Sequence, residues 1–196
     1  MTVGILSLQG DVELHQFVLS QLGIKSAKIN KLTQLDDISS LIIPGGESTT
    51  MSKLLISSGI YEQIVKRIKE KSIAIFGTCA GMILLANKIY DGREDQISFN
   101  AINVGIKRNA FGRQIESTFK TVVIRGDSEI EPSFIRAPRI ADIGDDVEVL
   151  GTLKQTAEPV LVTQGKMLAS SFHPELSKES CDNIVHRIFL EIAEEK

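Results

Sequence analysis

Cys79 is the residue best placed for covalent chemistry. It sits in Gly77-Thr78-Cys79-Ala80-Gly81, a G-x-C-x-G frame between an apolar run and a helical pattern. The frame follows the logic of the G-x-S-x-G nucleophile elbow. The nucleophile occupies a tight turn, and glycines two residues to either side let strand and helix approach closely. The amino end of the following helix then faces the sulfur, and its partial positive charge favours the anionic, nucleophilic form. Such a nucleophile needs a base, and the base needs an orienting group. The chain has three histidines. His186 lies in the last helical segment beside apolar positions and reads as a surface or edge residue. His15, in the first helical segment, reads as structural, although Gln9-Gly10 is near in sequence. His173 follows an apolar strand and opens His173-Pro174-Glu175. Alternate residues of an extended chain point to one side, so the Glu175 carboxylate can reach the His173 ring. Pro174 biases the residue before it toward extended backbone. Cys79, His173 and Glu175 together make a nucleophile, a base and an orienter.

Two further segments carry possible binding groups. In Pro44-Gly45-Gly46-Glu47-Ser48-Thr49-Thr50, two glycines after a strand leave backbone N–H groups open to a ligand. Ser48, Thr49 and Thr50 are suited to cap the helix that follows. The segment can supply half of an oxyanion hole near Gly46, with the Ala80 N–H as the second donor. A phosphate cradle is the other use, but the chain has neither G-K-[ST] nor G-x-G-x-x-G. Arg108-Asn-Ala-Phe-Gly-Arg113-Gln114 and Phe134-Ile135-Arg136-Ala-Pro138 concentrate arginines, which suit two-pronged contact with carboxylates. Taken singly, each segment has a plainer reading: a buried structural cysteine, a turn with a chance acid, an ordinary glycine-rich turn, or surface charge.

The elements that must position these residues are legible as alternating strands and helices. Val3 to Leu8, Ala27 to Ile29, Ser40 to Ile43 and Ile73 to Phe76 read as short apolar strands. A helix with Val12, Phe17, Val18 and Leu22 on one face ends at Gly23. Ile60, Ile64, Val65 and Ile68 are spaced to line one face of another, and an apolar helix runs around Met82 to Ala86. Lys66 to Lys71 reads as the solvated end of a helix. Continuous apolar strands between helices imply a parallel sheet covered on both faces. The second half reads differently, as strands at Ile102 to Ile106, Phe119 to Ile124, Val147 to Leu150, Val160 to Val162 and Leu168 to Phe172. A final helix carries Ile184, Val185, Ile188, Phe189 and Ile192. The expectation is one α/β domain over residues 1–196, with a mixed, partly antiparallel second half.

Composition excludes several classes of function. Basic residues number 22 and acidic residues 25, a balance that gives no electrostatic reason to bind nucleic acid or an anionic membrane. Trp is absent and there are only two Tyr and eight Phe, too few for a surface that stacks single strands. Cys79 and Cys181 are far apart, with no CxxC pair, which points to a reducing compartment and away from structural zinc. The amino terminus lacks the pattern of a signal peptide. Ser72 to Asn87, the longest uncharged apolar stretch, is shorter than the roughly 20 residues that span a bilayer. A cytoplasmic protein is expected.

With these motifs in view, the chain resembles class I, triad-type glutamine amidotransferase domains. More narrowly, it is similar to the glutaminase subunits of pyridoxal 5′-phosphate synthases. The likeness runs nearly end to end, through Leu8-Gln9-Gly10, Pro44 to Thr50, Gly77 to Gly81, Arg108 to Gln114, Phe134 to Pro138 and Ser171 to Leu176. It departs at Glu13-Leu14-His15, where the family has Glu and His adjacent, and at Ser117-Thr118-Phe119-Lys120, where the family continues Ser-Phe-Glu. The resemblance implies a flavodoxin-like three-layer α/β sandwich with a mixed, mainly parallel central sheet. It implies a triad of Cys79, His173 and Glu175, and L-glutamine contacts from Gly46, Glu47, Ser48, Arg108, Ile135 and Arg136. It further implies that ammonia passes through a channel to a separate synthase subunit in a hetero-oligomeric complex. Nothing in the chain suggests a cofactor or a metal of its own. Another cysteine hydrolase of the same architecture, such as a γ-glutamyl hydrolase or a DJ-1-like protein, and a non-catalytic binding subunit are the alternatives.

Overall fold

The computed structural model describes residues 1–108, 118–126, 128–177 and 183–195. Its first half is built from β1 (Thr2–Leu6), α1 (Val12–Gln21), β2 (Lys25–Ile29), β3 (Ser40–Ile43), α2 (Ser48–Ser57), α3 (Ile60–Lys69), β4 (Ala74–Thr78) and α4 (Ala80–Leu85). Period-two alternation gives β1, β3 and β4 two buried faces. Val3, Ile5, Ile42 and Phe76 join one core with α1, whereas Leu6, Leu41, Ile43 and Ile75 join another with α2, α3 and α4. Polar residues are therefore scarce in β3 and β4, as burial on both faces requires.

The second half contains β5 (Ala86–Ile89), β6 (Ile102–Lys107), β7 (Thr118–Phe119), β8 (Val122–Ile124), β9 (Ser128–Ile130), β10 (Pro132–Phe134), β11 (Arg139–Ile143), β12 (Glu148–Leu153), β13 (Pro159–Gln164), β14 (Met167–Ser170), β15 (His173–Ser177) and α5 (Ile184–Glu194). The large sheet has the order β2-β1-β3-β4-β14-β13-β12-β8-β9. Its strands are parallel from β2 to β14 and antiparallel beyond. Two three-stranded sheets, β15-β10-β7 and β11-β6-β5, flank it. The mixed, partly antiparallel second half is as the sequence pattern implies, and the α/β sandwich as the resemblance implies.

Two local expectations change. The run Phe119 to Ile124 divides: β7 pairs with β10, while β8 pairs with β12 in the large sheet. On α1 the buried residues are Val12, His15, Val18 and Leu19, and Phe17 is 55% exposed. Phe17 lies five residues beyond Val12, which at 3.6 residues per turn carries it well off the inner face.

Connections from β1 and β3 leave toward opposite edges, so the strand order reverses between them. In open α/β sheets the crevice outside the carboxyl ends at such a point receives ligands. The loops after β1, β3, β4 and β14 all open there. The turn after β4 depends on two close approaches: the Gly77 Cα lies against the Gly81 backbone, and Gly81 against the Ile43 carbonyl. A methyl at residue 81 would strike that carbonyl. Gly81→Ala is expected to lower stability by about 1–3 kcal/mol, read from the urea midpoint; an unchanged midpoint would show that the turn does not need this contact.

Candidate active site

Cys79 forms the turn between β4 and α4 with φ 49 and ψ −100, a conformation rarely adopted by residues with a side chain. Surrounding contacts hold it there. The Cys79 N–H donates to the Ser170 carbonyl at the end of β14 (2.8 Å), in addition to the glycine contacts beneath. The Cys79 thiol, 7% exposed, faces the Ile135 carbonyl at 3.8 Å. Parallel pairing of β4 with β14 brings in the base, since Thr78 stands opposite Ser170 and His173 follows three residues later. His173 Nδ1 lies 2.8 Å from Glu175 Oε1, the i, i+2 geometry of an extended strand. The ring of His173 rests on Gly45, where any Cβ would collide with it.

The cavity at this point has a volume of about 390 Å³ and is lined by Cys79, His173, Gly46, Glu47, Ser48, Ala80, Arg108, Ile135 and Arg136, among others. Every site residue expected from the sequence except Glu175 meets this cavity, and Glu175 stands behind His173. Arg113, Gln114 and Cys181 lie outside the described residues. Gln9, Asp11 and Ile83 also line the cavity. In the sequence, Gln9 is marked only as part of Leu8-Gln9-Gly10, and no motif sets Asp11 or Ile83 apart.

Capping of α2 differs from the expectation. The N-cap is Glu47, not Ser48, Thr49 or Thr50; its carboxylate accepts the Thr49 N–H (3.1 Å) and the Thr50 N–H (2.6 Å). The same carboxylate holds Arg108 at 3.4 Å. Burial opposes ionisation of Glu47, but the hydrogen bonds from Thr50 and Thr49 prevail and hold it at about 2. The Ser48 hydroxyl donates to Gln96 Oε1 (2.9 Å), and the Glu47 N–H donates to Gln9 Oε1 (3.2 Å). As first residue of α4, Ala80 has an N–H that its own helix cannot satisfy.

Electrostatics pair the reacting groups. Burial disfavours charge on His173, yet hydrogen bonds to Cys79 and Glu175 outweigh it and push the imidazole up to about 10. Burial likewise opposes charge on Glu175, but His15 and His173 together hold its carboxylate at about 2. His173 is therefore favoured as an imidazolium, backed by the Glu175 carboxylate and facing Cys79.

The expectation for His186 is overturned. It is 1% exposed, its Nε2 lies 3.0 Å from His15 Nδ1, and its ring packs edge-on against Phe76. A polar residue can occupy this inner face because His15, from the opposite end of the chain, meets it there.

The sequence matches the SNO glutamine amidotransferase family over residues 5–195. The chain belongs to that family. Relatives in the family include a pyridoxal 5′-phosphate synthase subunit PdxT of Thermus thermophilus, 46% identical with 97% of both chains covered. Another is the PdxT subunit of a Nocardioides species, 43% identical over 100% of this chain and 97% of its own. A solved glutamine amidotransferase superposes with a TM-score of 0.89 at 46% identity, covering 97% of this chain and 98% of its own. The same architecture extends to PurLQS of Thermotoga maritima, with a TM-score of 0.70 at 14% identity.

The buried histidines set a pH dependence of stability. Desolvation lowers His15 and pushes His186 down to about 3, from an ordinary 6.5. An unfolded chain would take up protons on both near 6.5 while the folded chain does not, so stability is lost as the pH falls from 6.5 toward 3. His173 has the opposite sign: its contribution is fully present below 6.5 and is lost as the pH rises toward 10. Glu47 and Glu175 act lower, between their ordinary 4.5 and about 2. Stability from urea unfolding is expected to fall by about 2 kcal/mol between pH 6.5 and pH 5. A flat profile across that interval would contradict neutral burial.

Proposed function

We propose that this chain is a single-domain glutaminase that hydrolyses L-glutamine to L-glutamate and ammonia. The ammonia serves the synthase subunit of a pyridoxal 5′-phosphate synthase in vitamin B6 biosynthesis. The observation that carries the reading is one cavity holding Cys79 and His173, with Glu175 2.8 Å behind the imidazole. Family membership and the names of the full-length relatives support the same activity.

The groups divide the reaction as follows. Arg108 and Arg136 hold the α-carboxylate of glutamine, while Gly46, Glu47, Ser48 and Ile135 shape the rest of the pocket through backbone groups. The Cys79 thiolate attacks the side-chain amide carbon. Backbone N–H groups of Gly46 and Ala80 receive the oxyanion, and one such donor contributes roughly 3 kcal/mol. Charged His173 gives its proton to the departing ammonia, then takes one from the water that releases glutamate. Glu175 fixes the His173 tautomer and stabilises its charged form. No helix among the described residues is long and apolar enough to cross a membrane, and the proposed place of work is the cytoplasm, in a complex with the synthase subunit.

Cys79→Ala is expected to abolish glutamate release while glutamine still binds, and a glutamine-like electrophile is expected to label Cys79 alone. Labelling of Cys181 at an equal rate would overturn the assignment. The isolated chain is expected to turn over slowly. Glycines adopt many backbone states, and the Glu47 N–H is tied to Gln9, so docking of the synthase subunit has a peptide to re-set beside the oxyanion. Steady-state glutamate release should rise about 10²-fold or more with saturating synthase subunit, the worth of one such donor. Equal turnover in both samples would favour an independent hydrolase.

A further inference from the structure

Behind the triad lies a second layer of buried polar groups that the reaction steps above do not use. Glu175, from β15, has a side chain with 0% exposure, and so has His15 on α1. One carboxylate oxygen, Oε1, is occupied by His173 at 2.8 Å. The other, Oε2, lies 3.5 Å from His15 Nε2, a buried contact in which neither atom makes a hydrogen bond of standard geometry. His15 Nδ1 in turn lies 3.0 Å from His186 Nε2, on α5. Three elements distant in sequence thus converge on one carboxylate.

Proton accounting fixes the direction of this chain. An ionised carboxylate only accepts hydrogen bonds, so His15 must present a proton on Nε2. Burial lowers His15, which favours its neutral form, in which Nδ1 is bare and accepts. The proton between the two rings must then sit on His186 Nε2. The reverse arrangement would turn a bare His15 Nε2 toward Glu175 Oε2 and leave two buried lone pairs facing each other, which is costly in a dry site. The direction therefore runs from His186 to His15 to Glu175, where it meets the proton donated by His173 Nδ1. Among the described residues, the charged or titratable groups that act on His15 are Glu175, His173 and Asp11, and those that act on His186 are His15 and Glu175.

We propose that His15 is a positioning residue of the triad, oriented by His186, which pins the second oxygen of Glu175 and so holds His173 in line with Cys79. Both carboxylate oxygens are then fixed from opposite sides, and the plane that receives His173 Nδ1–H cannot turn. The proposal rests on the glutaminase reading for its effect on turnover, but its geometry stands independently of the substrate. A buried imidazole lying against a carboxylate need not be neutral packing: truncating it removes the polar group that faces Oε2 at 3.5 Å.

The test uses the chain with saturating synthase subunit and compares His15→Leu with His15→Gln. The leucine removes the donor; the glutamine places an amide N–H near the position of Nε2. His15→Leu is expected to lower kcat about tenfold, the worth of one pK unit of lost stabilisation, with KM for glutamine nearly unchanged. His15→Gln is expected to recover most of that loss. Alkylation of Cys79 by iodoacetamide at pH 7, measured on the same variants without substrate, should slow and recover in parallel. Should His15→Leu not fold, His186→Phe, which keeps an aromatic ring against Phe76, removes the donor to His15 and should slow both reactions in the same direction. Unchanged kcat and alkylation in a folded His15→Leu or His186→Phe, or equal loss in the leucine and glutamine variants, would overturn the proposal. If the glutaminase reading were the one at fault, no variant would release glutamate, yet the alkylation series would still follow the donor at residue 15.

Discussion

The parallel register of β4 on β14 is the constraint on which the site depends. It sets Thr78 opposite Ser170 and ties the Cys79 N–H to the Ser170 carbonyl. The nucleophile and its base come from segments about ninety residues apart, and this one ladder fixes their separation. The antiparallel strands β12 and β13 matter to chemistry because they bring β14 to the free edge of β4. On the other side, the reversal of strand order between β1 and β3 delivers the Gln9-Gly10 and Gly45-Gly46 loops to the same sheet edge.

Placing reactive groups at that edge has structural costs, and the neighbouring residues absorb them. Cys79 takes an unfavourable backbone conformation, which persists because Gly77, Gly81 and Ile43 leave its turn no room to relax. Glu175 is ionised where water cannot reach it. An isolated buried charge would be neutralised by a raised pKa, whereas paired imidazoles on both sides keep this one ionised. Glu47 performs two tasks with one carboxylate, ending α2 and holding Arg108. Helix capping and the substrate pocket are thus coupled through a single side chain.

Much of this was legible in the chain because it is local. The G-x-C-x-G frame specifies its own turn, and the H-P-E triplet sets imidazole and carboxylate two residues apart on an extended strand. The apolar runs of β3 and β4 announce burial on both faces. Hydrophobic periodicity also marked α3 and α5 correctly.

What only the tertiary structure decided involves polar groups whose partners lie far along the chain. His186 sits one residue from Val185 and three from Phe189, on the buried face of α5. A lone polar residue there reads as solvated unless a partner is known, and its partner, His15, is 171 residues away. Phe17 is apolar enough for the core, but the face of α1 that packs inward carries Val12, His15, Val18 and Leu19, and Phe17 lies off it. The division of Phe119 to Ile124 between two sheets follows from pairings with β10 and β12, which its own sequence does not contain. Backbone propensity and periodicity act over a few residues and can be read directly. Desolvation of a polar group is tolerated only where another element supplies its hydrogen bond, and that meeting exists only in the folded chain.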